Sequence, residues 1–418
     1  MDAMKRLKSS FLDKVIAVAR RYCGDDFIKK FNQIVKEREE NFILDLKEAK
    51  NKIEVEPEVQ EEIVNELKFD TLLSLSAEYL EQYKFIQMCF DIGDVCLTYG
   101  EFDKAENCFL LVIKKAGKTR EFDEARAKAY VKLGEVKTKQ NELNDAVSAL
   151  KQGLKIYQKL RNTDGIALCE NGLGIAFYES GRYDFGTTYF NHALKKAEKT
   201  KNEELIARLH INLGIIESMR GNWDKAISHF QQALPRLEKR GDALRLAQTY
   251  HNIGITLIHK GEYDAAVKEF DKSIELAQKL EDSYMLALAY LGKADAYVRI
   301  KDLPLATAYV TRSLDIFYKI GDRQSIADAY RILGVIQLEH GNLQLAESYF
   351  KTSIDLNLEF KNWLNLGETY YELSQLYKKQ EQIDKARESL SSSLKYFKKI
   401  KVKSYIARIQ IELSELKA

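Results

Sequence analysis

Asn212 and Asn252 stand 40 residues apart, in the same slot of a recurring frame. An asparagine amide presents a donor and an acceptor together, which is what a peptide bond needs. Two of them in register can hold an extended chain by its backbone without reading its side chains. Arg208, Arg299 and Arg331 add permanent positive charge suited to a carboxylate. Asp295 and Asp328 can pair with those arginines in a solvated network or meet other partners. Asn171, Tyr178, Met219, Gln248, His251 and His259 complete the candidate binding set, with Glu339 further along.

This is the chemistry of recognition. The chain contains no His-Glu-x-x-His or His-x-x-x-His pattern, no P-loop, no dinucleotide glycine fingerprint and no Gly-x-Ser-x-Gly elbow. His251 and His259 are eight apart, two turns along one helix, which does not suit a shared metal. The cysteines Cys23, Cys89, Cys96, Cys108 and Cys169 are odd in number and match no ligand spacing. Cys89 and Cys96 would lie about 10 Å apart along a helix. They read as small core residues in a reducing compartment. The expectation is therefore a non-enzymatic chain with no metal or cofactor.

Composition narrows the partners. Lys plus Arg is 65 against 63 Asp plus Glu, a net +2, so there is no basic excess for a nucleic acid. No apolar run approaches the length of a membrane span. The first 22 residues lack the continuous apolar stretch and cleavage site of a secretory signal, and the expected location is the cytoplasm. A protein or peptide segment remains as the expected partner.

The frame that positions these residues is a repeat. Gly93, Gly134, Gly174, Gly214, Gly254, Ala294, Gly334 and Ser374 follow at one interval of 41 and six of 40. Twelve residues after each comes a second small row: Ala105, Ala146, Gly186, Ala226, Ala266, Ala306, Ala346 and Ala386. Four further on is a bulky row: Phe109, Leu150, Phe190, Phe230, Phe270, Val310, Phe350 and Leu390. Each repeat reads as two helices, with helical periodicity on both sides of a break at Gly100, Asn141, Gly181, Gly221, Gly261, Lys301-Asp302, Gly341 and Glu381-Gln382. Asp264 is placed to cap the second helix of its repeat. Pro304 suits a first helical turn, whereas Pro235 predicts a kink or an early helix end. Such a hairpin cannot bury its apolar face alone, so neighbours must stack on it.

These rows resemble the tetratricopeptide repeat family. Tyr250, Ile253-Gly254, Leu257, Ala266 and Phe270 match its pattern in one repeat, and Tyr330, Leu333-Gly334, Ala346 and Phe350 in another. The repeat here is about 40 residues rather than the usual 34 and lacks the terminal proline. It is similar to the longer variety in spindle-orientation adaptors, kinesin light chains and bacterial peptide-sensing regulators. The resemblance implies an all-α, right-handed superhelical solenoid whose concave groove, lined by first helices, holds a peptide or protein segment. Groove positions would lie six, three and two residues before the small residue and one, four and five after it, where the candidate set falls.

The expected organisation is an amino-terminal helical region (1–85), eight repeats (86–406) and a capping helix (404–418). In the first region a charged helix is expected over Asp26–Ala49, an interruption over Asn51–Glu56, a helix from Pro57 to near Lys68 and another over Thr71–Tyr83. Residues 1–36 hold 9 basic and 4 acidic side chains, and residues 37–70 hold 5 and 12. Two readings follow: helices packed charge to charge over the first repeat, or an effector module in a regulator whose superhelix changes pitch on binding its ligand. Lys395, Lys398, Lys399, Lys401 and Lys403 form a basic cluster before the last helix.

Overall fold

The computed structural model describes residues 2–49, 56–400 and 402–416. Every regular element among them is helical. The chain divides into two compact units, residues 1–196 and 197–418.

The amino-terminal unit begins with α1 (Asp2–Cys23), α2 (Asp25–Ala49) and α3 (Pro57–Tyr79). The α3 helix is continuous, where two helices were expected. No glycine or proline interrupts it after Pro57, and Phe69, Leu72, Leu73 and Ser76 bury one stripe through the expected break. The expected interruption lies, apart from Glu56, outside the described residues, as does Lys401 of the basic cluster. Then come the pairs α4 (Gln82–Tyr99) with α5 (Phe102–Ala116) and α6 (Asp123–Lys139) with α7 (Leu143–Leu160), followed by α8 (Thr163–Glu179). Helix α1 packs on α4, where Arg21 and the Tyr22 hydroxyl both donate to Asp91 at 3.2 and 2.9 Å. Helix α9 (Tyr183–Thr200) contains the limit between the units.

The carboxy-terminal unit contains α10 (Glu203–Met219), α11 (Trp223–Arg240), α12 (Ala243–Lys260), α13 (Tyr263–Lys279), α14 (Ser283–Ile300), α15 (Leu303–Ile320), α16 (Arg323–Glu339), α17 (Leu343–Glu359), α18 (Trp363–Lys379), α19 (Ile383–Ile400) and α20 (Lys403–Glu415). Even-numbered helices from α10 to α18 are the first helices of their repeats. Each packs on its own second helix, and α10, α12, α14 and α16 each pack also on the first helix of the next repeat.

The glycine row exists because of the bulky row. A Cβ on Gly254 would stand 2.7 Å from the Phe270 ring, and one on Gly334 would stand 2.5 Å from Phe350. Where the small residue gains atoms, its partner is smaller: Ala294 goes with Val310 and Ser374 with Leu390, both partners fully buried. A further small row is fixed by hydrogen bonds. Ser273, Ser313 and Ser393 donate to Ala247 O, Ala287 O and Gly367 O across each pair at 2.6–2.9 Å.

The breaks within repeats fall where expected, each with a residue at positive φ, including Asn141, Lys301 and Glu381. Capping differs from expectation. Asp264 lies in the first turn of α13, whose cap position, Glu262, makes no side-chain bond. Side-chain caps occur instead mainly between repeats, where Asn202, Asp242, Asp282, Asp322 and Asn362 accept N–H bonds from the residue three ahead. Each contributes about 1 kcal/mol. Helix α11 runs on past Pro235 to Arg240, so the expected early end does not occur. Phe230, Ala233 and Leu237 bury one stripe on both sides of the proline and carry the helix through it. The five cysteines are buried and free, and burial pushes the Cys89 thiol up to about 12.

Candidate functional site

In the carboxy-terminal unit the row of first helices gathers charge. A helix places residues three and four apart on one face, so α14 presents Asp295 with Arg299, α16 Asp328 with Arg331, and α18 Glu368 with Glu372. Arg299 Nε lies 3.3 Å from Asp295, and its Nη2 is 3.4 Å from Glu372. Arg331 Nη2 is 3.8 Å from Asp295 and 3.5 Å from Glu368. Asn365 of α18 donates to the Asp328 carboxylate. Three helices from consecutive repeats are thereby tied into one ionic layer.

The layer is largely out of water. Arg331 is 8 % exposed and Glu372 9 %. Burial alone would raise the Asp295 carboxyl, but Arg299 and Arg331 outweigh it and hold it below the usual carboxylate range. Asp328 goes the other way: burial pushes it up to about 7 despite Arg331. Glu372 is also raised by burial, against both arginines. Arg331 Nε is buried without a hydrogen-bond partner among the described residues.

Helix α20 supplies an edge. The Tyr405 hydroxyl is 3.5 Å from Glu368 and 3.5 Å from His259 Nδ1 of α12. Its ring stacks on Phe397 at 4.3 Å. Glu412 anchors the helix to α18 by accepting from Tyr371, Gln375 and Lys378. Nearby, Lys399 of the basic cluster lies 3.5 Å over the Trp363 ring.

The structure thus brings Asp295, Arg299, Asp328, Arg331 and His259 together. Elsewhere in this unit Asn212 and Asn252 are half-buried on α10 and α12, two helices joined by the 2.9 Å Ser218–Thr256 hydroxyl contact. Arg208 pairs with Glu204 at 3.9 Å, Met219 is half-buried and Gln248 is exposed. His251 stands edge-on to Phe270, its Nδ1 is buried without a partner among the described residues, and burial lowers it to about 4. In the amino-terminal unit, Tyr178 is half-buried against Tyr183. Asn171 is only 2 % exposed, because α8 turns that side into the packing, and it has almost no surface to offer a ligand.

The candidate set omitted Glu368 and Glu372, although they lie six and two residues before Ser374, on the frame itself. The slot of Asn212 and Asn252 is filled by Glu372 in the last repeat. Tyr405 lies outside the frame, and no periodicity could have found it.

The sequence profile of the tetratricopeptide repeat matches residues 162–239, 245–319 and 321–399, more than half of the chain. The chain belongs to the tetratricopeptide repeat family. No curated protein matches it by sequence. Among solved structures, this tetratricopeptide repeat protein is similar to the apo quorum sensor NprR of B. thuringiensis, with TM-score 0.58 and 14% identity over 81% of this chain and 95% of that one. It is similar to the Rap conjugation gene regulator of plasmid pLS20 in complex with the Phr* peptide, at 0.57 and 15% over 80% and 94%. Aspartyl phosphate phosphatase F of Bacillus subtilis follows at 0.53 and 17% over 84% and 94%. At these identities the likeness is one of fold. Among the described residues, no helix is long and apolar enough to cross a membrane, and no group of three or more His, Cys, Asp or Glu is arranged to hold a metal ion.

Proposed function

We propose that this tetratricopeptide repeat protein holds a peptide or protein segment along the first helices of its carboxy-terminal unit, without catalysing a reaction. The observation that carries the reading is the ionic layer of α14, α16 and α18, which lies on first helices of the same unit as the half-buried Asn212 and Asn252. The asparagines hold the backbone of the segment, and the charged layer selects among side chains. The peptide bound by the Rap regulator of similar fold supports the choice of ligand class. The test is affinity selection from a random peptide library by the intact chain and by an Asn212→Ala, Asn252→Ala variant. Peptides are expected to be retained by the first and lost by about tenfold or more from the second, with melting unchanged. Equal retention would overturn the site. The phosphatase of similar fold makes aspartyl-phosphate hydrolysis the assay that would overturn the non-catalytic reading.

A second reading is a regulator in which ligand binding is reported through α1–α3. It is favoured by the Arg21 and Tyr22 bonds to Asp91, which couple α1 to the first repeat. A selected peptide that changes hydrogen exchange in α1–α3 would support the regulator, and unchanged exchange there would leave a static adaptor.

A further inference from the structure

The ionic layer is unbalanced in two complementary ways. Four carboxyl groups, Asp295, Asp328, Glu368 and Glu372, face two guanidinium groups, Arg299 and Arg331. Guanidinium charge is therefore short by two if all four are ionised. Independently, Arg331 is nine-tenths buried, and its Nε–H has no acceptor among the described residues. Its Nη2 reaches Asp295 and Glu368 only at 3.8 and 3.5 Å. A buried donor left unmade is costly, as is a buried carboxylate without a counter-charge.

One kind of ligand answers both shortages: a peptide, which brings a cationic nitrogen and backbone carbonyl oxygens in one chain. The nitrogen would lie among the carboxylates, and one of the oxygens would accept from Arg331 Nε. A bare metal ion supplies no acceptor for Arg331, and the carboxylates are not arranged as a metal's ligands would be. We propose that the layer formed by α14, α16 and α18 is the seat for a cationic nitrogen of a bound peptide, either its free amino end or a basic side chain. This rests on the peptide-holding reading above and adds the charge that the peptide must carry. Tyr405, 3.5 Å from Glu368, borders the seat.

The experiment uses the full chain and random hexapeptide amides in four sets: free or acetylated at the amino end, each with or without lysine and arginine. Peptides with neither cation are expected to be retained about tenfold less than the others, the loss of one charge-assisted bond. Dependence on the free amino end, or on the basic side chain, identifies the source of the nitrogen, and either supports the seat. The cation preference is expected to fall by a similar factor in a Glu368→Gln, Glu372→Gln variant. It is expected to fall also in Asp328→Asn, which removes a buried charge and so keeps the fold. Acetylated peptides without lysine or arginine retained as well as the rest would overturn the proposal. So would a preference that survives in both variants. Peptides retained without charge preference, yet lost with Asn212→Ala, Asn252→Ala, sink the cation seat and leave the peptide-holding function standing. Retention of no peptide from any set sinks both.

Discussion

Asp328 is held where its charge is unfavourable. Burial raises its carboxyl to about 7 against the pull of Arg331, with Glu368 and Asp322 pushing the same way and Asn365 donating to it. An acid raised in the folded state contributes stability that is complete below its unfolded value and lost as pH climbs through about 7. Asp328→Asn is thus expected to stabilise the chain at pH 8 by on the order of 2 kcal/mol, and to do little at pH 4. Urea midpoints at the two pH values decide it, and an equal change at both would be the wrong outcome. The histidines have the opposite sign. His210 is lowered to about 4 by burial, then by His229, whose Nδ1 is 3.0 Å from its own, and by Arg236. A base lowered in the fold contributes stability that is present above its unfolded value of 6.5 and lost as pH falls through about 4. His210 occupies the row of Tyr250, Tyr290, Tyr330 and Tyr370. His210→Tyr is expected to keep roughly 1–2 kcal/mol that the natural chain loses between pH 7 and 4, which calorimetry across that range would show or refute. That His210 packs in the core was legible from its row. That Asp295 would meet arginines of two helices was legible only as one alternative, because the frame gives positions along the chain and not which charges meet.

At the scale of helices, the breaks were the most legible feature, since six of the eight turns mark their positive φ with glycine or asparagine, and the repeat interval places the other two, at Lys301 and Glu381. Caps were less so. Asp264 and Asp282 look alike in sequence, but only the second stands at a helix start with its side chain free to turn back. The continuous α3 and the run of α11 through Pro235 show burial overriding local propensity, as tertiary packing does. The pairing of Gly with Phe, and of Ala294 with Val310, yields a sharper test. Gly334→Ala drives a Cβ to 2.5 Å from Phe350 and is expected to cost about 1–3 kcal/mol. Phe350→Val leaves a cavity and is expected to cost about 3 kcal/mol or more. Together they recreate the natural Ala–Val combination, so the double variant is expected to be milder than the sum by about 1 kcal/mol or more. Strict additivity in a denaturation cycle would mean that the two rows do not determine one another.

For the whole molecule, a stack of repeats is held by contacts between neighbours, and damage at one end should fade along the row. Helix α20 departs from that rule. Ile409, Ile400 and Val402 bury its docking on α19, and Glu412 fixes it to α18, which is neighbour packing. Tyr405, however, reaches His259 on α12, 146 positions away in sequence. This is the link that repeat periodicity left hidden, since it joins a residue outside the frame to one inside it. Removing residues 403–418 should therefore have two effects on amide exchange. Protection should fall most in α18 and α19, by about 2 kcal/mol or more for the apolar surface uncovered. It should fall again, by a smaller amount, near His259 in α12, while α10 and α11 stay as they were. Tyr405→Phe, which keeps the stacking on Phe397 and removes only the hydroxyl, should reproduce the change at α12 without the loss at α18 and α19. A decline that fades smoothly from α19, with no second site at α12, would reduce α20 to a simple end cap and remove Tyr405 from the rim of the ionic layer.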